Sequence, residues 1–224
     1  LEGETRPVMT FGVEQGDVHG SNLTMDQGFG SFDVVYRGEK YAHLDLSVPG
    51  MHNVKNALAA SAAAIALGLP GKAVEDGMRD FRLPGRRFEY KGSYNGAELC
   101  DDYAHHPGEL ASLFDTAAAL GHKRVVCAFQ PHTYSRTHEL FDDFVEVLKR
   151  PSVTILAEIF AAREDNDIGI SSADLAAKIP GSVYCPTLAD VTEKLREIAQ
   201  PGDLLLTVGA GDIYLAGEAL VNET

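Results

Sequence analysis

The segment Arg124-Val-Val-Cys-Ala-Phe129 is almost wholly apolar and runs directly into the polar sequence Gln130-Pro-His-Thr-Tyr-Ser-Arg-Thr137. A short, continuous apolar run of this kind is typical of a strand that is covered on both faces, as in a parallel sheet. Helical segments alternate with such runs through the second half of the chain. This alternation predicts an α/β domain with a mainly parallel sheet and helices on both faces. The other strands are predicted near Leu99 and at 153–157, 182–184 and 204–208, and the helices near 108–120, 138–149, 172–178, 188–199 and 212–220.

The first part of the chain follows a different pattern. Residues 32–36 and 44–48 have strand composition, the second with strict alternation of apolar and polar residues, and Arg37-Gly-Glu-Lys40 fits a turn between them. An Ala-rich segment from Asn53 to Leu67 predicts a buried helix, and a shorter helix is predicted near 73–78. We therefore expect a smaller α/β unit ahead of the parallel sheet.

The break between the two patterns lies at Leu83-Pro-Gly-Arg-Arg87, where proline and glycine interrupt the periodicity. A hairpin is predicted directly after it, with its turn at Asn95-Gly96, because Asn-Gly supplies the two positive φ angles of a type I′ turn. We place the domain boundary inside this break, so that the predicted domains are 1–86 and 87–224.

Composition excludes several classes of protein. The chain has 224 residues and a net charge of −14, from 19 Lys and Arg against 33 Asp and Glu, which argues against nucleic-acid or anionic-membrane binding. Its three cysteines (Cys100, Cys127, Cys185) are too few and too far apart for a disulfide framework or a zinc site, so a reducing cytoplasm is expected. We expect no membrane insertion. Because the chain opens without Met or a signal peptide, we also expect it to begin inside a longer protein.

Polar side chains collect in the loops that follow the predicted parallel strands. The carboxyl ends of such strands share one edge of the sheet, and ligands bind in the crevice there. Four of the eight histidines (His105, His106, His132, His138) lie in or beside two of these loops, which predicts one site rather than scattered surface residues. The loops are Asp101-Asp-Tyr-Ala-His-His-Pro107, the 130–137 sequence, Glu158-Ile-Phe-Ala-Ala-Arg-Glu164 and Gly209-Ala-Gly-Asp212.

Each of these loops also has a purely structural interpretation. Asp101 and Asp102 precede Pro107 and would equally serve as helix caps. His132 and Arg136 would be solvated residues at a helix start, although an arginine there opposes the helix dipole and calls for an anion. Gly209-Ala-Gly211 is only half of a dinucleotide-binding motif, and a close strand-to-helix turn explains it as well. For Arg163-Glu164 we favour a surface ion pair.

Two asparagines stand at the start of the Ala-rich helix. Asn53 and Asn56 are three residues apart and therefore share a helix face, where carboxamides would both donate to and accept from a purine edge. Asn53 would equally be the helix N-cap. No Gly-x-x-x-x-Gly-Lys-[Ser/Thr] sequence occurs in the 224 residues, so the main cradle for a triphosphate, if one is bound, is not in this chain.

Two rival functions remain open on these residues alone. Asp101, Asp102, His105 and His106 are residue types that bind divalent metals, so they would fit a metal-dependent phosphoesterase. The incomplete glycine motif and the missing phosphate loop would also fit a nucleotide-binding or scaffold module that catalyses nothing.

Taken together, six segments resemble the Mur ligase family. The resemblance covers nearly the whole chain and implies the end of a central ATP-binding domain (1–86) followed by a C-terminal Rossmann-like ligase domain (87–224). The segments are Gly50-Met-His-Asn-Val-Lys-Asn-Ala-Leu-Ala-Ala60, Leu83-Pro-Gly-Arg-Arg-Phe-Glu89, Asp101-Asp-Tyr-Ala-His-His-Pro107, Phe129-Gln-Pro-His-Thr-Tyr-Ser-Arg-Thr137, Glu158-Ile-Phe-Ala-Ala-Arg-Glu164 and Gly209-Ala-Gly-Asp-Ile213.

The resemblance implies an ATP-dependent ligase of peptidoglycan precursor synthesis. The reaction expected is ligation of L-alanine to UDP-N-acetylmuramate through an acyl phosphate, with Mg²⁺ held by residues upstream of this chain and no metal ligand within it. A related ligase of cell-wall recycling, which joins a murein peptide to the same sugar nucleotide, is the alternative. The chain itself would be an incomplete and inactive part of the enzyme.

The resemblance also implies roles for particular residues. Asn53 and Asn56 would hold adenine with His52 beside it, Arg87 would reach the terminal phosphate, and Asp102 would accept from the ribose hydroxyls, with Tyr103 and His105 nearby. The amino acid and the sugar nucleotide would face His132, Tyr134 and Arg136. Many relatives carry a second arginine where this chain has Thr133, so Arg136 is expected to make the anion contact alone.

Overall fold

The computed structural model describes residues 7–222, which divide between Arg82 and Leu83 into two compact units. The division falls at the start of the predicted break, so Arg86 belongs to the second unit.

The first unit is a four-stranded sheet with two helices. Strands β2, β3 and β4 form an antiparallel meander in the order β1-β2-β3-β4, with the short β1 parallel to β2. Arg37 and Gly38 both have positive φ (54° and 78°), which confirms the turn predicted between β3 and β4. The elements are β1 Phe11–Gly12, β2 Val18–Asp26, β3 Phe29–Tyr36, β4 Glu39–Pro49, α1 Met51–Ala66 and α2 Gly71–Asp80.

The alternation in β4 produces the core of this unit. Ala42, Leu44, Leu46 and Val48 all point to one face and are buried, while the three residues between them are exposed. The apolar side of α1, including Val54 and Leu58, belongs to the same cluster. The predicted Ala-rich helix is therefore confirmed as the element that covers the sheet.

Gly77→Ala is expected to stabilise the first unit. Gly77 is an exposed residue inside α2, and a Cβ atom there would have no other atom within 4 Å. Since glycine costs about 1 kcal/mol relative to alanine in a helix interior, the free energy of unfolding should rise by about that amount. Thermal unfolding followed by circular dichroism would measure it. Ala73→Gly, at an exposed position of the same helix, is the matched control and should have the opposite sign.

The second unit confirms the predicted parallel sheet. Five strands, in the order β6-β10-β7-β8-β9, run parallel, and the outer strand β5 is antiparallel to β6. The hairpin turn at Asn95 and Gly96 has φ of 50° and 75°, as a type I′ turn requires. The strands are β5 Glu89–Tyr94, β6 Ala97–Asp102, β7 Arg124–Phe129, β8 Val153–Ala157, β9 Val183–Cys185 and β10 Asp203–Val208.

Helices cover both faces of this sheet. Phe129, Leu206 and Phe144 belong to the buried cluster on one face, and Leu205 and Leu195 belong to the cluster on the other. All six residues of β10 are buried, as expected of a central parallel strand. The helices are α3 Pro107–Ala119, α4 Tyr134–Glu139, α5 Phe141–Val147, α6 Ser172–Ala176, α7 Leu188–Ile198 and α8 Tyr214–Asn222.

The single helix predicted over 138–149 is wrong. The segment forms α4 and α5, which meet at Leu140, where φ is −108° and ψ is 24°. The first of them begins four residues earlier than predicted because the carbonyl of Thr133 accepts from both the amide (3.0 Å) and the hydroxyl (2.6 Å) of Thr137. Arg136 therefore lies within a helix rather than ahead of one.

The three cysteines are free thiols and all are buried. Burial raises the pKa of Cys100 to about 12, so this thiol stays protonated and unreactive. None of the helices within residues 7–222 has the length and apolar character needed to cross a membrane.

Candidate functional site

The carboxyl ends of four parallel strands meet at one edge of the second unit. Val208 at the end of β10 pairs with Asp102 on one side and Phe129 on the other, and Leu156 of β8 pairs with Phe129. This register places the four polar loops side by side, as the sequence predicted. This edge of the sheet is therefore the candidate site of the second unit.

Arg86 ties this edge together. Its Nε atom donates to Asp101 Oδ2 (2.9 Å), while Nη1 and Nη2 donate to the carbonyls of Gly211 (3.0 Å) and Gly209 (2.6 Å). The guanidinium also lies against the rings of Tyr103 and Tyr214, with Cζ 5.1 and 4.6 Å from their centroids. The sequence analysis singled out the neighbouring Arg87 and missed Arg86, because two adjacent arginines carry no sign of which one turns inward.

Asp101 and Asp102 do not cap the helix that follows them. His106 is the N-cap of α3, and it forms a capping box with Glu109, so the capping interpretation of the aspartates is wrong. Asp101 accepts from Arg86 and from the Thr207 hydroxyl (2.8 Å), and Asp102 accepts from the amides of Phe88 and Ala104 (2.8 Å each). Burial raises the pKa of both carboxyls, and these hydrogen bonds oppose the rise.

The glycines of the Gly209-Ala-Gly211 turn are needed for close packing. Gly209 has φ of 148°, and a Cβ atom there would lie 2.6 Å from the carbonyl oxygen of Gln130. A Cβ atom on Gly211 would collide with the Gln130 side chain and with Phe160. The close-turn explanation therefore accounts for both glycines.

Four rings form a row along the edge. The centroids of Tyr103 and His105 are 5.5 Å apart, those of His105 and His132 are 6.1 Å apart, and Phe160 stacks on His132 at 5.6 Å. Arg87, which is exposed, lies over Tyr103 with its Cζ 5.7 Å from the centroid. We call these four residues (Tyr103, His105, His132, Phe160) the ring row. Three of them were predicted as site residues from the sequence. The fourth, Phe160, was not.

His132, an inner member of the ring row, is in direct contact with Arg136. Arg136 Nη1 donates to the carbonyl oxygen of His132 (2.5 Å) and lies 3.4 Å from its Nδ1. Burial lowers the pKa of His132, and the positive charge of Arg136 lowers it further, so the imidazole is neutral at pH 7. Arg136 is the third of the six residues of α4, so it lies in the first turn of a helix, as the sequence predicted.

Glu164 belongs to this site and is not a partner of Arg163. Its carboxylate accepts from the hydroxyls of Thr133 and Ser135 (2.5 Å each) and from the Ser135 amide (2.8 Å). These bonds lower the pKa of Glu164 to about 2, so it is ionised at neutral pH. Tyr134 lies half-buried between the two hydroxyl residues, at the first position of α4.

The predicted adenine residues lie in the first unit, at the start of α1. The N-cap of this helix is Gly50, so the N-cap interpretation of Asn53 is wrong. Asn53 is 5% exposed, donates to the Pro49 carbonyl (2.7 Å) and accepts from Asn56 (3.3 Å), which confirms that the two carboxamides share a face. His52 and Asn56 are exposed.

The residues from 7 to 222 contain no group of three or more His, Cys, Asp and Glu side chains that could hold a metal ion. Asp101 and Asp102 are occupied by Arg86, Thr207 and backbone amides, and His106 caps a helix. The donor set suggested for a phosphoesterase therefore does not converge on one point. The described residues do not fit a divalent-metal site.

Residues 86–211 match the family described as "Mur ligase, glutamate ligase domain", and residues 1–64 match "Mur ligase middle domain". The UDP-N-acetylmuramate–L-alanine ligase of Clostridium novyi is 43% identical over 215 residues, which are 94% of this chain and 47% of that protein. The ligase of the same name from Lachnospira eligens is 42% identical over 221 residues, covering 96% of this chain and 48% of its own.

Solved structures give the same picture for the fold. The UDP-N-acetylmuramate–alanine ligase of Thermotoga maritima superposes with a TM-score of 0.80 at 26% identity, covering 96% of this chain and 47% of its own. A MurF ligase of the same organism, solved with ADP, shares the fold at a TM-score of 0.70 and 13% identity, covering 96% and 49%. The chain thus spans about half the length of the relatives it matches.

Proposed function

Because the chain belongs to the Mur ligase family, we propose that the protein it represents joins L-alanine to UDP-N-acetylmuramate using ATP, in the synthesis of peptidoglycan precursors. The observation that carries this proposal is the 43% identity, along nearly the whole chain, to a ligase of that name. The sheet edge supports it, because it carries nitrogen donors of Arg87, His132 and Arg136, which are groups suited to an anionic substrate. The reaction would take place in the cytoplasm, where free cysteines persist.

The chemistry proposed is carboxylate activation. The γ-phosphoryl group of ATP moves to the lactyl carboxylate of the sugar nucleotide and ADP leaves. The alanine amine then attacks the acyl carbon, loses a proton, and expels phosphate from a tetrahedral intermediate. Such transfers depend on positioning and on neutralising phosphate charge, to which Mg²⁺ would contribute when bound outside the residues described here.

Each unit supplies its own part of the proposed binding residues. In the first unit, Asn53 and Asn56 would hold the adenine edge, with His52 beside them. In the second unit, the exposed Arg87 would contact the terminal phosphate, and Asp102 would accept from the ribose, with Tyr103 and His105 nearby. The amino acid and the sugar nucleotide would contact His132 of the ring row together with Tyr134 and Arg136 of α4.

The proposal is tested with the full-length product of the gene. Purified protein is incubated with UDP-N-acetylmuramate, ATP, Mg²⁺ and radiolabelled L-alanine, and the labelled nucleotide product and ADP are measured. One molecule of each is expected per turnover. In a parallel arm a murein tripeptide replaces alanine. Faster ligation of the tripeptide would replace the proposal by the recycling reaction, and no ligation of either would contradict both.

Asp102→Ala is expected to raise the KM for ATP by about 10- to 100-fold, because a hydrogen bond to a charged group is worth about 1.5–3 kcal/mol. The same change removes two bonds to backbone amides, so the melting temperature should fall as well. Thr207→Val is the matched control, since it removes a buried hydrogen bond to the adjacent Asp101 and should lower stability without moving KM. A stability loss alone in both variants would contradict the ribose contact.

Arg136→Lys is expected to lower kcat/KM for UDP-N-acetylmuramate or alanine by at least about 10-fold, with the KM for ATP changed little. A guanidinium contacts a carboxylate or phosphate through two parallel hydrogen bonds, whereas an ammonium provides a single point of charge. The residue also contacts the His132 carbonyl, which lysine would not reach in the same geometry. Steady-state kinetics with each substrate varied in turn would measure the change. Unchanged values for both substrates would place Arg136 outside the site.

A further inference from the structure

Two loops at the sheet edge are fastened to each other along their length. We call residues 130–137 the histidine loop and residues 158–164 the acidic loop. The Phe160 amide donates to the Pro131 carbonyl (2.9 Å), His132 and Phe160 form an isolated parallel bridge, and their rings stack. Further along, Glu164 accepts three hydrogen bonds from the histidine loop. The acidic loop therefore contacts the histidine loop on both sides of His132.

Glu164 makes contacts that an exposed loop carboxylate ordinarily lacks. Both of its oxygens are used, one by the two hydroxyls of Thr133 and Ser135 and the other by the Ser135 amide. Thr133 directly follows His132, and Ser135 directly precedes Arg136. The three bonds thus hold the residue after His132 by its hydroxyl and the residue before Arg136 by its hydroxyl and its backbone amide.

Thr133 also gains a role from this arrangement. Its side chain is 9% exposed and its hydroxyl donates to Glu164, so it does not face a substrate anion. The hydroxyl of Thr133 therefore binds the two loops to each other. Arg136 is the positively charged residue of the histidine loop that could contact a substrate anion. The position of Arg136 therefore depends on the contacts that hold the histidine loop, including those with Glu164.

We propose that Glu164 is a positioning residue, which holds the histidine loop so that His132 and Arg136 meet the amino acid and the sugar nucleotide. The inference rests on the proposed function, because it assumes that those two residues contact substrate. It adds a residue with no substrate contact of its own, whose effect is transmitted through Thr133 and Ser135. Since a misplacement of about 1 Å can cost about 100-fold in rate, loss of these bonds should be visible in kinetics.

The experiment compares Glu164→Gln with Asp165→Asn in the full-length enzyme. Glutamine keeps the shape of the side chain but removes its charge. Its NH₂ group is a donor, so it would face the donor N–H of Ser135 or the donor hydroxyls of Thr133 and Ser135 without forming the present hydrogen bonds. Asp165 is the exposed neighbour and serves as the matched control for loss of one negative charge. For Glu164→Gln we expect kcat/KM for alanine and for UDP-N-acetylmuramate to fall by about 10- to 100-fold while the KM for ATP stays within about 2-fold. Asp165→Asn should resemble the wild type in all three.

A second pair of variants protects the test against misfolding. Thr133→Ser keeps the hydroxyl and should retain activity, whereas Thr133→Val keeps the volume but removes the donor and should reproduce part of the Glu164→Gln loss. A readout that does not depend on ligation is the pKa of His132, measured by NMR on the 224-residue chain. Because Glu164 raises that pKa, Glu164→Gln should lower it, and Asp165→Asn should not.

The outcomes separate the inference from the function on which it rests. If the wild-type enzyme fails to ligate alanine, the proposed function fails, whatever the variants do. If the wild type ligates and Glu164→Gln equals Asp165→Asn, or lowers the melting temperature and changes the kinetics of all substrates equally, the positioning role is overturned. Equal activity of Thr133→Ser and Thr133→Val, together with an unmoved His132 pKa, would overturn it as well.

Discussion

Arg86→Ala is expected to lower the free energy of unfolding of the second unit by about 3–5 kcal/mol, the usual cost of removing one partner of a buried ion pair. The side chain of Asp101 is 1% exposed, so without the guanidinium its charge would be left in an apolar interior beside the Thr207 hydroxyl. The carbonyls of Gly209 and Gly211 would lose their donor in the same step. The turn that follows the central strand would therefore lose its side-chain link to β6 through Arg86 and Asp101.

Urea unfolding of the 224-residue chain measures this effect, with Arg87→Ala as the matched control. Arg87 is the next residue, is exposed, and should change stability by no more than about 0.5 kcal/mol. Adding Asp101→Asn to the Arg86→Ala chain should recover part of the loss, because most of the cost is the unpaired charge. Equal stabilities of the two single variants would show that the Arg86 contacts contribute little.

The pH dependence of the Arg86→Ala chain follows from the same charge. Burial already raises the pKa of Asp101, and loss of the arginine should raise it further. A carboxyl whose pKa is higher in the folded state than in the unfolded state costs stability when it is ionised. That cost is present above the raised pKa and disappears as the pH falls through it. The difference in the free energy of unfolding between the Arg86→Ala variant and the wild type should thus become smaller as the pH is lowered from 7.

Periodicity was sufficient to predict most of the second unit. Residues 124–129 and 153–157 are strands at the predicted bounds. They were predictable because a parallel strand that is buried on both faces is apolar along nearly its whole length. In the first unit, β2 has no such pattern. Its residues are mostly half-buried or exposed, and its pairing with β3 shifts between Ser21 and Thr24, so strict alternation could not appear.

The site could be predicted only as a set of loops. The ends of the predicted parallel strands indicate which loops share an edge of the sheet. Those loops do bring Tyr103, His105 and His132 into one row. The partners of individual side chains could not be predicted, because they depend on hydrogen bonds between loops that are far apart in sequence. Arg86 reaches Gly209 and Gly211, and Glu164 reaches Thr133 and Ser135, contacts that no local pattern encodes.

Incubation of the 224-residue chain with UDP-N-acetylmuramate, ATP, Mg²⁺ and radiolabelled alanine is expected to give no ligation. The chain contains no Gly-x-x-x-x-Gly-Lys-[Ser/Thr] sequence, so it lacks the backbone amides and the lysine that hold the β- and γ-phosphates in this chemistry. Removing a single donor of this kind from an active site already costs about 100- to 1,000-fold in rate. Loss of the whole cradle should therefore reduce turnover by more than about 1,000-fold.

The control for this result is the full-length Clostridium novyi ligase, assayed under the same conditions, since it is 43% identical to the chain over the shared part. Circular dichroism would establish that the chain is folded. ATP titration should show at most weak binding, because the chain carries the proposed adenine, ribose and terminal-phosphate contacts but no Gly-x-x-x-x-Gly-Lys-[Ser/Thr] loop. The proposed contacts do not include the nest of backbone amides and the lysine with which a phosphate loop holds the β- and γ-phosphates. Turnover by the chain at a rate near that of the full-length enzyme would mean that the phosphates are held by residues between 1 and 224, and that the proposed division of the ATP contacts is wrong.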